Sequence, residues 1–395
     1  MKSLPLATRT ELIEPSPTLA MGARAAAMRA EGIDVISMAQ GEPDFNTPQP
    51  ICEAAKDALD RGVTKYTASS GLPQLKEAIV EKLRRENRIQ AETNQIVVSC
   101  GAKHSMYNAL MSLISPGDEV ILIAPYWMTY REQIKLAGGV PVVVSTDASS
   151  GFKPDLDAIR AAISARTRAI LINSPSNPTG AMLDRAMLKG IAALTLRHGL
   201  WIISDEIYEH LTYGPAHESI AALGQEIAAQ TVTITGCSKS YAMTGWRIGF
   251  ACAPAPVARA MADIQDQVTS NPTSFAQVGA ITALSLPLDT VRAMRDEFQQ
   301  RRDLMVRKLR AIPGLVVPEP EGAFYVFAEV KSYLGGALKS DLELSQRLLQ
   351  EAHVATMPGS VFDGPEHLRL SYTASQADLE RGLDRIHQFL TSLSE

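Results

Sequence analysis

The sequence predicts an α/β protein in which a large domain, built on a mostly parallel sheet flanked by helices, is accompanied by a smaller α+β domain. Two observations carry this prediction. Helical and strand patterns alternate from about residue 72, and the run at 120–123 is apolar throughout, as in a strand buried on both faces. With 395 residues, 46% of them hydrophobic, the chain can bury a large core without disulfide or metal support.

Periodicity and capping residues predict the elements of the large domain. Apolar residues recur at helical spacing from Leu72 to Leu83. Asp155 and Asp184 stand where helix N-caps belong, and Gly199 stands where a C-cap belongs. We predict strands at 96–98, 120–123, 140–144, 169–172, 201–203 and 232–234, and helices at 103–114, 155–165 and 184–197.

The pattern changes after about residue 255, where longer helices replace the strand–helix alternation. We predict helices at 255–285, 290–311, 340–352 and 376–393, and short strands at 315–317, 324–328 and 368–372. We therefore expect residues 48–290 to form the large domain, and residues 1–47 together with 291–395 to form the smaller one.

Composition excludes several classes of protein. Lys and Arg number 38 against 43 Asp and Glu, and no basic run occurs, so we expect no nucleic-acid partner. No apolar run is long enough to span a membrane, and the N-terminus lacks the apolar stretch of a signal peptide. The four cysteines have no regular spacing, which favours reduced thiols and a cytoplasmic location. The seven histidines are scattered and dinucleotide and hydrolase motifs are absent, so we expect no metal.

Polar residues follow the predicted strands at four places, where an open parallel sheet binds its ligands. These places are 100–103, 173–180, 205–208 and 236–239, the last with Arg247 eight residues further on. Taken singly, each residue has an ordinary explanation as a helix cap, a turn or a solvated cation. Together they bring a lysine, an aspartate, an asparagine, a tyrosine and an arginine to one edge of the sheet.

One part of this set suits a phosphate group. Gly101 opens a helix, whose free N–H groups and positive dipole end attract phosphate. Arg247 and the Ser238 hydroxyl would add hydrogen bonds to the same group.

The rest of the set suits a carbonyl group on a pyridine ring. Lys239 could condense with the carbonyl as a Schiff base. An anionic Asp205 would keep the pyridine nitrogen protonated, and Tyr208 and Asn177 would contact a ring oxygen. The residues together therefore predict pyridoxal 5'-phosphate.

The segment GCSKSYAMTGWRIG at 236–249 resembles the lysine-centred signature of the class I aminotransferases, which are fold-type I pyridoxal-phosphate enzymes. Further segments occur in the order typical of that family: KYTASSGLPQLKEAI, the turn at 101–103, APYWMTY, NSPSNPTG, SDEIYEHL and LRLSYTAS. The resemblance covers essentially the whole chain and points to the bacterial aspartate and aspartate/prephenate aminotransferases. It implies an aspartate aminotransferase-like fold.

The resemblance also implies a catalytic set of Lys239, Asp205 and Tyr208. Lys239 would form the Schiff base and carry a proton between the substrate Cα and the C4′ carbon of the cofactor. Asp205 would pair with the ring nitrogen, and Tyr208 with Asn177 would contact the ring oxygen. Trp127 would stack on the ring and border the substrate.

Phosphate, substrate and subunit contacts follow from the same resemblance. The phosphate would lie against Gly101, Ala102, Ser238 and Arg247. Tyr66 of a neighbouring subunit would reach that phosphate, which makes the working unit a homodimer with a shared active site. Arg369 would hold the substrate α-carboxylate, helped by Asn177 and the Gly41 backbone.

Two positions depart from the family pattern. Gly236 stands where many relatives carry a hydroxyl residue, so one phosphate donor would be missing. Lys103 stands where others have a hydroxyl residue. In the similar bacterial subgroup this lysine, with a threonine matching Thr18, is linked to the distal carboxylate of dicarboxylic substrates. Lys103 could instead be a phosphate-binding or surface cation.

We therefore predict ping-pong transamination between an L-amino acid, with aspartate preferred, and a 2-oxo acid, with 2-oxoglutarate preferred. One alternative is an aminotransferase of prephenate, aromatic or alanine-type substrates. Another is a lyase or synthase on the same fold. A third is a non-catalytic pyridoxal-phosphate sensor. Such sensors append a DNA-binding helix-turn-helix segment, for which we expect no room before Pro15.

Overall fold

A computed structural model describes residues 4–15, 17–336 and 338–393. Seven strands of the described chain form one large sheet, in the order β2-β8-β7-β6-β5-β3-β4. β8 is antiparallel to both of its neighbours, whereas the other pairs are parallel, so the predicted mostly parallel sheet is confirmed. The strands are β2 (Ile96–Cys100), β3 (Glu119–Ala124), β4 (Val140–Ser145), β5 (Thr167–Asn173), β6 (Trp201–Asp205), β7 (Thr231–Gly236) and β8 (Ile248–Cys252).

Two small sheets lie outside the large one. β1 pairs in parallel with β10, and β12 lies between β11 and β9 in an antiparallel sheet. These strands are β1 (Ile36–Ser37), β9 (Tyr325–Glu329), β10 (Val354–Ala355), β11 (Met357–Pro358) and β12 (His367–Ser371). The N-terminal part of the chain is thus joined by hydrogen bonds to its last third.

Helices cover the sheets. They are α1 (Pro17–Ala30), α2 (Gln49–Asp60), α3 (Pro73–Lys82), α4 (Ala102–Leu113), α5 (Thr129–Leu136), α6 (Leu156–Ala162), α7 (Arg185–His198), α8 (Gln225–Ala228), α9 (Cys237–Ser240), α10 (Ala255–Val268), α11 (Ser274–Ser285), α12 (Asp289–Arg310), α13 (Asp341–Glu351) and α14 (Gln376–Ser392). In the described residues, no helix is both long and apolar enough to cross a membrane.

Buried hydrophobic clusters on the two faces of the large sheet explain why a central strand such as β3 is apolar on both faces. Val120 and Leu122 of β3 pack into one cluster with α4 and α10, whereas Ile121 packs into another with α6 and α7. Successive side chains of a strand point to opposite faces, so helices on both sides require a continuous apolar run. A further cluster joins α12, α13 and α14 to β9 and β12.

Local capping chemistry agrees with the sequence. The Asp184 side chain accepts the backbone N–H of Met187 at 2.8 Å, and α7 ends at Gly199 with a φ of 64°. Asp155 likewise accepts the N–H of Asp157 at 2.9 Å at the start of α6. These side chains satisfy backbone groups that the first and last turns of a helix leave without partners.

The structure differs from the predicted elements mainly at 255–285, at β8 and at 315–317. The single helix predicted at 255–285 is interrupted between α10 and α11, where Ser270 has a φ of 61° and is followed closely by Pro272. That backbone leaves the helical region, and proline cannot donate the next hydrogen bond. β8 is not predicted at all, and the strand predicted at 315–317 is only a bridge between Val316 and Glu329.

A buried polar network lies behind the segment that follows β6. The Lys82 ammonium lies 2.5 Å from Glu209 and donates to Asn87 at 2.7 Å. Burial alone would raise the pKa of Glu209, but the charges of Lys82, His210 and His217 outweigh it, so that pKa is lowered. Glu206, Glu209 and His217 have the spacing of a metal-ligand group, yet Lys82 already supplies the positive charge there.

Lys82→Ala tests how much this network stabilises the fold. Removing one partner of a buried pair leaves an uncompensated charge and costs about 3–5 kcal/mol. We expect a clear fall in the urea midpoint, measured by circular dichroism. The matched control is Arg61→Ala, which removes an exposed ion pair with Asp57 and should cost less than about 1 kcal/mol. Equal effects of the two substitutions would contradict a stabilising role for the network.

Candidate active site

A cavity of about 740 Å³ lies at the carboxyl ends of β5, β6 and β7, beside the N-terminus of α4. Most of the sequence-predicted site residues line it. They are Thr18, Gly41, Ala102, Lys103, Trp127, Asn177, Asp205, Tyr208, Ser238, Lys239, Arg247 and Arg369. The parallel strands bring their ends to one edge, which is why residues so far apart in sequence meet here.

The start of α4 offers donors for an anion. Gly101 precedes α4 with a φ of 86°, a conformation that favours glycine. The backbone N–H groups of Ala102 and Lys103 bond to no acceptor in the described residues. A Cβ on Gly101 would lie 2.4 Å from Nη2 of Arg247, so only glycine leaves the guanidinium its place beside this turn. The Ser238 hydroxyl, also in the cavity wall, has no hydrogen bond to a described residue.

The close packing of β7 on β8 explains the missing hydroxyl at position 236. A Cβ on Gly236 would lie 2.8 Å from the Cα of Gly249 and 2.9 Å from the carbonyl oxygen of Ile248. A Cβ on Gly249 would in turn lie 2.1 Å from the N atom of Ala102. No side chain fits at either position without moving backbone, so these glycines fix the start of α4 against the lysine-bearing turn.

Lys239 reaches the cavity from α9 and donates to the carbonyl oxygen of Gly41 at 2.5 Å. Burial lowers the pKa of Lys239 to about 8, and the Arg247 and Arg369 charges act in the same direction. Glu42 and Asp205 raise it in part. An amine with this pKa is partly unprotonated at neutral pH, which both condensation and proton transfer require.

Asp205 ends β6 and is 4% exposed. Burial raises its pKa to about 6, although hydrogen bonds from the Tyr130 hydroxyl and the Ile207 N–H lower it. These bonds measure 2.7 Å and 3.1 Å and hold the carboxylate in one orientation. At neutral pH Asp205 is mainly anionic, and a cationic ring nitrogen would stabilise that charge further.

Arg369 lies on β12 and is 2% exposed. It donates to the Asn177 side-chain oxygen at 2.9 Å and to the Ala39 carbonyl at 2.5 Å. Burial lowers the pKa of Arg369, and no carboxylate in the described chain lies within ion-pair distance of it. Its Nε is buried without a partner. A buried guanidinium in this state is suited to a carboxylate ligand.

The site also contains two tyrosines that the sequence analysis did not identify. Tyr130 binds Asp205 as described, and the Tyr325 hydroxyl lies 2.9 Å from the Tyr208 hydroxyl. Tyr130 belongs to the APYWMTY segment, so its position in a family motif was an available signal. Tyr325 comes from β9, and nothing local in the sequence indicates that it faces the cavity.

Lys103 and Thr18 lie at a different part of the wall. The exposed Lys103 ammonium stands 4.8 Å from the centre of the Trp127 ring. Partial burial and the Arg247 charge lower the pKa of Lys103. Thr18 comes from α1, and residues 13–15 line the cavity beside it. The Glu14 N–H donates to Glu132 of α5 at 3.2 Å, which attaches this segment to the large sheet's helices.

Tyr66 and Gly101 are not among the residues that line the cavity. Gly101 adjoins it through Ala102 and Arg247, as described. Tyr66 is 89% exposed, so in the single chain its ring contacts mainly solvent.

Comparisons with known proteins place these residues in context. The family model described as aminotransferase class I and II matches residues 33–386. An aspartate aminotransferase of Bacillus sp. (strain YM-2) is 46% identical, over 99% of this chain and 100% of that protein. The aspartate/prephenate aminotransferase of Thermus thermophilus is 40% identical, over 98% of each chain. A crystal structure of the aspartate aminotransferase from Rhizobium meliloti has a TM-score of 0.95 and 44% identity, and covers 98% of this chain and 99% of that one.

The pKa of Lys239 predicts how the cofactor-free protein reacts with amine reagents. Only the neutral amine reacts, so labelling of Lys239 by acetic anhydride should rise through about pH 8. The exposed Lys331, whose pKa Glu366 raises, is the internal control and should label only at higher pH. Peptide mass spectrometry measures both sites in one sample. Coincident pH profiles for the two lysines would contradict the electrostatic description of the site.

Proposed function

The chain belongs to the family of class I and II aminotransferases, and on that premise we propose that it transfers the amino group of L-aspartate to a 2-oxo acid. We propose 2-oxoglutarate as the acceptor and pyridoxal 5'-phosphate as the cofactor. The observation that carries the proposal is the meeting of Lys239, Asp205 and Arg369 in one cavity. The three supply an amine, an anion and a carboxylate-binding guanidinium.

The residues present fit this cofactor. The two N–H groups at the start of α4, the free Ser238 hydroxyl and Arg247 match a phosphate dianion. Asp205 matches a protonated pyridine nitrogen, while Asn177 and Tyr208 match a ring oxygen. Trp127 supplies an aromatic face in the same wall. When bound, pyridoxal phosphate supplies an aldehyde that condenses with amines and a ring that delocalises the electrons of a broken Cα–H bond.

The protein's own residues provide binding, orientation and proton transfer. Arg369 and Asn177 hold the α-carboxylate, so that the Cα–H bond has a fixed direction relative to Lys239. As a neutral amine Lys239 would accept the Cα proton, and as an ammonium it would donate that proton to the C4′ carbon of the cofactor; its pKa of about 8 suits both transfers. The carbonyl of Gly41, which accepts from the amine in this structure, is suited to orient it between the steps.

Aspartate is favoured by the cation that this chain carries at position 103. Lys103 and Thr18 lie in the wall of the same cavity as Arg369, and a dicarboxylate needs a second cationic contact. The similar proteins named for aspartate support this choice. The relative from Thermus thermophilus, which is also named for prephenate, makes prephenate the second candidate. Prephenate too carries two carboxylates, and Trp127 would offer its ring an aromatic surface.

We also propose a cytoplasmic homodimer in which Tyr66 of each subunit reaches the phosphate of the other. The 89% exposure of Tyr66 supports a role outside its own subunit. The four free cysteines are compatible with a reducing compartment. Residues 48–290 would form the cofactor-binding domain, and residues 1–47 with 291–395 the smaller domain that carries Arg369.

The proposed half-reaction can be observed directly by absorption. The protein loaded with pyridoxal phosphate should lose its long-wavelength band when L-aspartate is added without an oxo acid, and 2-oxoglutarate should restore it. Lys239→Ala should abolish turnover, because the amine that carries the proton is gone. Normal turnover by Lys239→Ala would refute the assignment. A spectrum that ignores aspartate but responds to alanine or phenylalanine would refute the substrate.

Lys103→Met tests the contact with the distal carboxylate separately from the contacts with the rest of the substrate. A lost charge-assisted contact should raise KM for aspartate on the order of 10-fold. The same variant should keep its KM for alanine, which has no distal carboxylate and therefore serves as the internal control. Equal increases for both amino acids would indicate that Lys103 binds the phosphate or supports the site generally.

A further inference from the structure

We propose that Tyr325 is a positioning residue that acts on both halves of the site: its hydroxyl strengthens the hydrogen bond that Tyr208 donates to the cofactor, and its ring supports Arg369. The proposal rests on the proposed function, because it assigns Tyr208 to the cofactor and Arg369 to the substrate carboxylate. It adds a residue of β9 that touches both of them.

The geometry places Tyr325 between the two groups. Its side chain is 1% exposed and its hydroxyl lies 2.9 Å from the Tyr208 hydroxyl. The centre of its ring lies 4.5 Å from the central carbon of the Arg369 guanidinium. Tyr325 also belongs to the cavity wall. One rigid aromatic side chain therefore contacts both groups.

The surroundings leave the Tyr325 hydroxyl little freedom. A Cβ on Gly41 would lie 2.1 Å from this oxygen, so any larger residue at position 41 would displace it. The neighbouring Phe324 ring is centred 4.8 Å from the Tyr325 ring. The hydroxyl is thus held where it meets Tyr208, beside the Gly41 carbonyl that accepts from Lys239.

The hydroxyl pair has a consequence for the cofactor. A tyrosine hydroxyl has one proton to donate, and Tyr325 is the partner of Tyr208 in this structure. When Tyr208 donates to the ring oxygen, Tyr325 is placed to donate to Tyr208 in turn. A hydrogen bond received by the Tyr208 oxygen polarises its O–H group and makes it a stronger donor.

The ring has a separate consequence for the substrate. Arg369 lies over the Tyr325 ring and, at 4.8 Å, the Phe362 ring, and it has no ion pair with a described residue. The negative faces of aromatic rings attract a guanidinium, most strongly where water is excluded. The ring of Tyr325 therefore compensates part of the cost of burying Arg369 and keeps the guanidinium in place for a carboxylate.

Tyr325→Phe tests the hydroxyl, because it removes one oxygen and keeps the ring. A weaker hydrogen bond from Tyr208 leaves more negative charge on the ring oxygen of the cofactor. The proton that lies between this oxygen and the Lys239 nitrogen is then held more tightly. We therefore expect the apparent pKa of the holoenzyme's pH-dependent absorbance to rise by about half a unit, since polarisation changes a bond by a modest fraction. KM for aspartate should change little, since the ring remains beneath Arg369.

Tyr325→Leu tests the ring, because it removes the aromatic face as well. KM for aspartate should rise on the order of 10-fold, the value of a desolvated cation–π contact. The dissociation constant of maleate, a dicarboxylate that does not react, should rise in parallel and gives a readout independent of turnover. Tyr325→Phe is the matched control for this effect.

Tyr372→Phe is the control for deleting a buried hydroxyl elsewhere. Tyr372 is fully buried in the same aromatic cluster and donates to Ala323 at 3.3 Å, but it does not line the cavity. The Tyr372→Phe variant should therefore have the same absorbance pKa and the same affinity for maleate as the wild-type protein.

The outcomes distinguish the proposal from its premise. If wild-type protein binds no pyridoxal phosphate or shows no response to aspartate, the proposed function fails. If wild type behaves as proposed but Tyr325→Phe titrates like Tyr372→Phe, the role of the hydroxyl is wrong. If Tyr325→Leu binds maleate as tightly as Tyr325→Phe does, the role of the ring is wrong.

Discussion

The site depends on positive groups that the protein buries without giving them a carboxylate partner. Lys239 and Arg369 both line the cavity, burial lowers the pKa of each, and neither forms an ion pair with a described residue. Instead, Lys239 donates to the backbone carbonyl of Gly41, and Arg369 donates to the backbone carbonyl of Ala39 and to the side-chain oxygen of Asn177. Burying a cation in this way costs stability, which the rest of the fold must offset. Anionic ligands recover that cost when they bind, so the arrangement favours phosphate and carboxylates.

The segment that follows β6 shows how the fold sustains this arrangement. Asp205 and Tyr208 face the cavity, whereas Glu206 and Glu209 belong to the buried network that contains Lys82. His210 extends the network, because its ring nitrogens bond to Glu86 at 2.9 Å and to Ser240 at 2.8 Å. Ser240 follows Lys239 directly in α9. The hydrogen bond between His210 and Ser240 therefore attaches the helix that carries Lys239 to the buried network.

The sequence was informative where a functional residue follows its own strand. Asp205 and Lys239 could be located because a predicted strand precedes each of them and the strand ends share one edge. Arg369 faces away from Leu368 and Leu370, but only the family resemblance indicated what it faces. Tyr325 could not be found, since its position depends on how β9 packs against the end of the large sheet. β8 was not predicted, although the 236–249 signature leads directly into this antiparallel strand.

The same dependence on packing explains why the site belongs to no single part of the chain. The aspartate comes from β6, the amine from α9 directly after β7, the guanidinium from β12, and the carbonyls that accept from both cations from the segment after β1. Gly41 lies at the point where these parts meet, and its missing Cβ is what lets the Tyr325 hydroxyl approach. Any displacement of β9 and β12 relative to the large sheet would move Arg369 and Tyr325 together, away from Tyr208 and Lys239. The distance between the carboxylate-binding guanidinium and the Lys239 amine is therefore fixed by how β9 and β12 pack against the large sheet.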